Sequence, residues 1–126
     1  MNKAIKIKNI RKFTNKGQMI IFDKLEKKKF NLKRFFTISA NKNLTKRGGH
    51  GHKICDQIMI ITEGSAKITV FKKKIKYFKL KKNESLFVPK NHWVDIQFIN
   101  KKSSLLVLCN YKFDLKEYIF DKKDII

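Results

Sequence analysis

The chain has 126 residues, of which 42% are hydrophobic and 33% are charged, and its formal net charge is +21. This length suits one domain, so we predict a single domain over residues 1–126. The apolar content excludes a disordered tail, and the absence of a Gly/Pro period excludes a fibre. No run approaches the roughly 18–20 apolar residues of a membrane span, and the N-terminus lacks the apolar segment of a secretory signal. We therefore expect a cytoplasmic protein with no membrane partner.

The positive charge comes almost entirely from lysine. Thirty-one Lys and Arg side chains oppose ten Asp and Glu side chains, and only Arg11, Arg34 and Arg47 are arginines. A basic protein attracts polyanions, but proteins that read nucleic acid depend on arginine forks, which are scarce here. The lysines are also spread along the whole chain. We expect no specific nucleic-acid partner, and a field that favours a small phosphorylated substrate.

Short strands follow one another along the chain. Apolar alternation and aromatic or β-branched residues predict strands at Ala4 to Lys8, Arg34 to Ser39, Gln57 to Thr62, Ala66 to Phe71, Ile75 to Leu80, Leu86 to Val88, Trp93 to Ile99 and Ser104 to Leu108. The tail from Asp114 to Asp121 is typical of a helical turn or two. Many short strands separated by turns predict an all-β sandwich or barrel rather than βαβ units.

Two of the three histidines stand in the tripeptide His50-Gly51-His52. On an extended strand, residues two apart point to the same face, so both imidazoles would project together. If that face lines a barrel interior, two metal ligands or two acid–base groups share one cavity. Two surface histidines on a polar turn are the alternative, and the pattern assigns no role to His92.

The spacing around this pair resembles the first motif of the cupin superfamily. Gly49 precedes the pair, and Gln57 and Gly64 follow it at the expected distances, with Gln57 where cupins carry a glutamate. By the same resemblance, the third histidine ligand of a cupin metal would fall on Val94. A catalytic metal needs about three protein ligands and an open position. We therefore expect no metal and no cofactor, which leaves the histidine pair for proton transfer.

A wider set of residues carries a closer resemblance. Its members are Lys33-Arg34-Phe35-Phe36, Arg47-Gly48-Gly49-His50-Gly51-His52-Lys53, Glu63-Gly64-Ser65, Val88-Pro89, Trp93, Leu105-Leu106-Val107-Leu108, Asp114 and Glu117-Tyr118-Ile119. In order and spacing they are similar to the nucleotide-sugar 3,4-ketoisomerases, which are RmlC-like cupins. The similarity extends from about Lys16-Gly17 to about Ile119.

This resemblance implies a small cupin jelly roll that forms a homodimer without a metal. The implied substrate is dTDP-4-keto-6-deoxyglucose, isomerised to the 3-keto sugar in 3-amino-deoxysugar and polysaccharide biosynthesis. His50 is then the catalytic base, with His52 beside it. Moving a ketone from C4 to C3 through an enediolate needs one base with a pKa near working pH and donors for the developing charge.

Five further residues are predicted to bind the substrate. The resemblance places Arg34 and Arg47 against its phosphates or sugar oxygens, and Gln57 is a donor candidate for the enediolate. Trp93 is a candidate for stacking on thymine. Lys16 stands where the family often has Arg or Tyr.

Several questions stay open at this point. Lys16 and Val94 are the positions expected to set the configuration at C4, so the product's epimer is undetermined, as are the strictness for thymine and the final amino sugar. Two other functions remain: another small cupin enzyme, such as a sugar-nucleotide epimerase or a metal-dependent oxygenase, and a non-catalytic cupin module that binds an anion.

Overall fold

A computed structural model describes residues 3–7, 10–13, 17, 19–22 and 30–126 of the chain. Lys16, one of the predicted substrate-binding residues, lies outside the described residues. Across the described ranges, the structure contains no helix with the length and apolar character that a membrane crossing needs.

Twelve strands lie within these residues. They are β1 (Ile5–Lys6), β2 (Ile10–Phe13), β3 (Met19–Phe22), β4 (Arg34–Ser39), β5 (Lys46–His52), β6 (Gln57–Glu63), β7 (Ser65–Phe71), β8 (Ile75–Lys81), β9 (Ser85–Val88), β10 (Trp93–Phe98), β11 (Ser104–Cys109) and β12 (Tyr118–Ile119). Two short 3-10 helices, Leu115–Glu117 and Lys122–Asp124, flank β12.

The strands form two five-stranded antiparallel sheets and a separate hairpin. One sheet has the order β1-β9-β6-β11-β4, the other has the order β12-β5-β10-β7-β8, and β2 pairs with β3. Strands β7 and β11 alternate between buried and half-buried residues, as strands with one core-facing side do. This architecture confirms the predicted all-β fold.

The core lies between the two sheets. Ile61 and Leu105 of the first sheet and Ile68 and Phe98 of the second are fully buried in one hydrophobic cluster. Each such side chain contributes about 1.5–3 kcal/mol by leaving water. The apolar faces therefore hold the two sheets together. A cavity between the sheets is then expected beside their edge strands, where the core ends.

Most of the predicted strands agree with the structure to within a residue or two, because their alternation records which face is buried. Strand β5 is absent from the prediction, since its sequence Lys46–His52 is glycine-rich and basic and does not alternate. The hairpin of β2 and β3 is also absent from it. In the tail, a helical turn forms at Leu115–Glu117, but Tyr118–Ile119 is a strand that pairs with β5.

A bulge changes the direction of β5, the strand that carries His50 and His52 and that we call the histidine strand. Asp95 of β10 pairs with Gly48 while Val94 pairs with His50, so Gly49 is the extra residue. Gly48 has a φ of 87°, and a Cβ there would lie 2.7 Å from the carbonyl oxygen of Val94. Both the left-handed backbone and the close approach require glycine at this position.

Replacing Gly48 by alanine should destabilise the fold more than the same change at Gly49. Gly49 also has a positive φ, but its Cβ would meet nothing closer than Asp95 Oδ1 at 3.8 Å. We expect Gly48→Ala to lower the free energy of unfolding by about 2 kcal/mol or more, and Gly49→Ala by about 1 kcal/mol. Chemical denaturation of both variants measures the difference, and equal losses would contradict a steric role for the Val94 carbonyl.

Candidate active site

The two histidines of β5 lie close together beside a tyrosine. The ring centroids of His50 and His52 are 5.2 Å apart. The ring of Tyr118 lies 5.1 Å from His50 and 4.4 Å from His52. Tyr118 reaches this position because β12 pairs with the end of β5, where Tyr118 is opposite His52. The structure therefore brings the predicted pair together and adds a phenol to it.

A buried carboxylate holds His52 in place. The Nδ1 of His52 hydrogen-bonds to Oε2 of Glu117, and both side chains are buried. The other oxygen, Oε1, accepts the backbone N–H groups of Ile54 at 3.1 Å and Cys55 at 2.9 Å. Since Nδ1 donates to the carboxylate, Nε2 of the neutral ring carries the lone pair. This Nε2 atom is buried and has no hydrogen-bond partner among the described residues.

Burial keeps both imidazoles in the neutral form. It is the largest cause that lowers the pKa of His50 below 6.5, and neighbouring His52 lowers that pKa further. Burial also lowers the pKa of His52, although the hydrogen bond to Glu117 opposes this. At neutral pH, a neutral His50 can accept a proton, and the nearby carboxylate favours the cation that results.

A cavity of about 440 Å³ lies between the sheets, on the side of strands β4 and β5. Its polar lining consists of Lys46, Arg47, His50, Gln57 and Tyr118. Its apolar lining consists of Phe36, Ile38, Met59, Val94, Ile96 and Val107. The volume is within the range of small-molecule sites, and the mixture of apolar walls and few polar groups is typical of them.

Three of the predicted substrate-binding residues lie at or near this cavity. Arg47 and Gln57 line it, and Nε2 of Gln57 also lies 3.6 Å from Sγ of Cys109. Arg34 is not among the lining residues, but its positive charge contributes to the lowered pKa of His52. Its Nε donates to the Tyr111 carbonyl at 3.2 Å, while Nη2 is buried with no partner among the described residues.

Trp93 lies away from the cavity. Neighbouring Val94 and Ile96 face the core, whereas the indole of Trp93 donates from Nε1 to Asp95 Oδ2 at 3.2 Å. The ammonium group of Lys122 lies 5.9 Å from the centroid of the indole ring. Trp93 does not line the cavity, and its role in base stacking stays a prediction.

The cupin metal ligands are not grouped here in a metal-binding arrangement. Over residues 3–7, 10–13, 17, 19–22 and 30–126, no three His, Cys, Asp or Glu side chains are grouped so as to hold a metal ion. Val94, at the place of the third histidine ligand, belongs to the apolar core.

Glu117 and Tyr118 are site residues that the sequence pattern does not select. They lie in the tail, 65 residues or more after the histidine tripeptide, and only the pairing of β12 with β5 brings them to it. A glutamate followed by a tyrosine is not a motif, and nothing in its spacing indicates which distant residue it contacts. The Glu117-Tyr118-Ile119 string within the family resemblance is the one signal that points to them.

Comparison with known proteins identifies the family of the chain. The family model described as FdtA: WxcM-like, C-terminal matches residues 2–126. No curated protein matches the chain. A solved 3,4-ketoisomerase from Helicobacter canadensis is 28% identical, with a TM-score of 0.86, and the match covers 99% of this chain and 96% of that one.

Two further solved structures are similar. The TDP-fucose-3,4-ketoisomerase WlaRA from Campylobacter jejuni is 28% identical with a TM-score of 0.82, covering 98% of this chain and 92% of that one. The RmlC epimerase of Mycobacterium tuberculosis is 10% identical with a TM-score of 0.80, covering 91% and 66%, so it shares the fold alone. These likenesses confirm the RmlC-like fold and the resemblance to the 3,4-ketoisomerases.

Removing the charge of Glu117 should lower the pKa of His52 further. In Glu117→Gln the negative charge that opposes the effect of burial is lost and a weaker, neutral acceptor replaces it, while the side chain keeps its size. Losing a buried charge-assisted contact should also cost about 1–3 kcal/mol of stability. NMR titration of the histidine ring signals and thermal unfolding measure the two effects.

The matched control is Glu63→Gln, because the carboxylate of Glu63 is exposed and pairs with Lys82. That variant should leave the His52 titration unchanged. An unchanged His52 titration in Glu117→Gln would show that the carboxylate does not set the ring's protonation.

Proposed function

The chain belongs to the FdtA family, described as WxcM-like, C-terminal, and on that premise we propose that it is a sugar-nucleotide 3,4-ketoisomerase. Its substrate would be dTDP-4-keto-6-deoxyglucose, and its product the 3-keto-6-deoxyhexose isomer. The observation that carries the proposal is a cavity in which a neutral His50 stands beside the cations and amide that an enediolate requires.

The reaction moves hydrogen and needs no net electron transfer. The proton on C3 is acidic because C3 adjoins the C4 carbonyl, and its removal gives an enediolate. A proton then returns at C4, the hydroxyl proton of O3 is lost and O4 gains one. The C4 carbonyl becomes a hydroxyl and the C3 hydroxyl becomes a carbonyl. One base that accepts the proton from C3 and delivers it to C4 is sufficient.

We assign the base to His50. It lines the cavity, whereas His52 is buried behind it with Nδ1 held by Glu117. Because burial lowers its pKa, the His50 ring is neutral at neutral pH, and its unprotonated nitrogen can take the proton on C3. The protonated ring would be stabilised by the carboxylate of Glu117, whose charge favours the cation at His50.

Fixed donors would stabilise the negative charge of the enediolate. Arg47 and Gln57 line the same cavity as His50, so a guanidinium and an amide are available to the sugar oxygens. The phenol of Tyr118 lies in the same lining and is a third donor. Apolar walls such as Met59 and Val107 exclude water, which strengthens each of these contacts.

Among the described residues, one buried atom of His52 and one of Arg34 have no hydrogen-bond partner, which supports a substrate rich in polar groups. Nε2 of His52 is an acceptor, and Nη2 of Arg34 is a donor. A buried polar group without a partner costs about 1–3 kcal/mol, so a ligand hydroxyl or phosphate oxygen that reaches one of them binds favourably. A sugar nucleotide carries both kinds of group.

The homodimer that the family resemblance implies is part of this proposal. The exposed rings of Phe35, Phe113 and Phe120 support it, because large apolar side chains at a free surface are typical of interfaces. The mass of the protein in solution tests it, and a 15.0 kDa monomer would contradict it.

The pH profile of the isomerisation should have an acidic limb below pH 6.5. Falling pH protonates His50, and a protonated ring cannot accept the C3 proton, so kcat/KM falls as pH drops through the pKa of the free enzyme. Between pH 7 and 8 the rate should be flat. Rates measured from pH 4.5 to 8, with circular dichroism at each pH to verify folding, test this. A midpoint above 6.5 would contradict the assigned base.

Replacing His50 by asparagine should abolish turnover without unfolding the protein. General base catalysis supplies about 10²–10⁴-fold, so the rate should drop by at least about 100-fold. The assay is proton NMR of the purified protein with dTDP-4-keto-6-deoxyglucose in D2O, and thermal unfolding of the variant is the control for folding. Full activity in His50→Asn would overturn the assignment of the base.

The same NMR assay distinguishes the functions that the sequence leaves open. Deuterium at C3 or C4, with the carbonyl signal moved to C3, establishes the ketoisomerase, and the coupling of the C4 proton gives the epimer. Exchange at C3 with an unmoved carbonyl indicates an epimerase. No exchange and no movement would reject the proposed function.

A further inference from the structure

A second cavity lies on the opposite side of the sandwich from the one that His50 lines. Its volume is about 310 Å³, and it lies where β1 and the turn between β7 and β8 approach each other. Strands β1 and β8 end their sheets at the side opposite to β4 and β12. Its lining includes Lys3, Lys72, Lys73, Lys74, Lys76 and His92, and it shares no lining residue with the first cavity.

The five lysines of this cavity, which we call the lysine cavity, have no acidic partners in the part of the chain that the structure describes. The ion pairs found there are Lys6–Glu84, Lys82–Glu63 and Lys123–Asp121. Like charges gathered in one concave site repel each other, and the repulsion is strongest where low-dielectric walls focus the field. A bound anion would relieve this repulsion.

A buried histidine forms one wall of the lysine cavity. His92 is 6% exposed, and its Nδ1 donates to the carbonyl of Lys90 at 2.9 Å. Because Nδ1 is used in this way, Nε2 is the ring atom available to a ligand. Burial lowers the pKa of His92, and the charges of Lys72 and Lys76 lower it further. Both ammonium groups therefore act on the ring, so His92 and the lysines belong to one site, in which a bound anion would favour protonation of the ring.

We propose that the lysine cavity binds a diphosphate group. Several ammonium groups suit the spread negative charge of a diphosphate, because each lysine acts as a mobile point charge toward phosphate oxygens. Nε2 of His92 gives a further contact with a phosphate oxygen when the ring is protonated. Such a cavity encloses a small ligand, whereas a nucleic-acid duplex requires an extended basic stripe.

The diphosphate group could belong to a nucleotide or be free inorganic diphosphate, and the rest of the lining is compatible with both. Ala4 and Val70 are buried apolar residues in the same cavity, and they offer contact area to a nucleoside attached to the diphosphate. Free inorganic diphosphate would use the cationic wall alone. The chemistry recognised is the same in both cases, and affinity distinguishes them.

The three histidines of the chain serve as reporters of the site of binding. Inorganic pyrophosphate is titrated into the protein at physiological salt while the imidazole carbon-bound proton signals are followed by NMR. The proposal expects the His92 signal to move in a saturable way, whether or not the signals of His50 and His52 also move. Movement of the His50 and His52 signals alone, or no movement of the His92 signal up to millimolar ligand, would overturn it.

A second titration with uridine diphosphate identifies the source of the group. Tighter binding than pyrophosphate assigns the lysine cavity to a nucleotide, and equal or weaker binding assigns it to free diphosphate. If duplex DNA moves the His92 signal at physiological salt and pyrophosphate does not, the site is a nucleic-acid contact and the proposal is wrong.

The double variant Lys72→Gln/Lys74→Gln should weaken pyrophosphate binding by at least about tenfold, since two charge-assisted contacts are lost. The control is Lys101→Gln/Lys102→Gln, which makes the same charge change on an exposed turn outside the cavity. It should bind as the unaltered protein does. Equal weakening in both variants would mean that the attraction is due to net charge, which would overturn the proposal. All variants are first compared by thermal unfolding.

These titrations and the variant comparison measure binding at the lysine cavity, and their results do not depend on the ketoisomerase activity. The sugar substrate would bind in the cavity of His50, so loss of ketoisomerase activity in His50→Asn leaves the His92 response intact. Failure of the lysine cavity to bind a diphosphate likewise leaves the NMR assay of isomerisation unaffected.

Discussion

The carboxylate of Glu117 joins the C-terminal tail to the histidine strand. A charged group this deeply buried costs several kcal/mol unless it is fully hydrogen-bonded, and here His52 and the backbone N–H groups of Ile54 and Cys55 bind it. Removing any of these contacts leaves a charge that the core cannot solvate. This one requirement closes the tail over β5, fixes the ring orientation of His52 and brings Tyr118 against both imidazoles.

Cavities lie on two sides of the part of the sandwich that the structure describes, and their linings differ in chemistry. On one side the bulge at Gly48 and Gly49 interrupts the regular pairing of β5, and His50 of this strand lines a cavity with apolar walls. On the other side the turn between β7 and β8 is basic and the cavity is lined mainly by ammonium groups. We propose proton transfer in the first cavity and anion binding in the second.

The composition gives only a partial account of the charge. A net charge of +21 attracts any polyanion, and lysines spread along the chain look uniform in the sequence. Folding concentrates part of them: the lysine cavity combines the Lys72–Lys74 run with Lys3 from the N-terminal segment and Lys76 from β8. It also separates the predicted site residues, since Arg47 and Gln57 line the cavity of His50 whereas Trp93 lies on the far face of its strand.

The sequence by itself determined the all-β class, most strand positions and the histidine pair, because alternation and the spacing of two histidines are local properties. Only the tertiary structure decided that Glu117 binds His52, since no pattern links residues 65 positions apart. It also decided the place of Trp93, because adjacent residues on a strand face opposite sides and the register that chooses the side comes from sheet pairing. The strand β5 formed without the usual alternation because its neighbour β10, rather than its own side chains, holds it in the sheet.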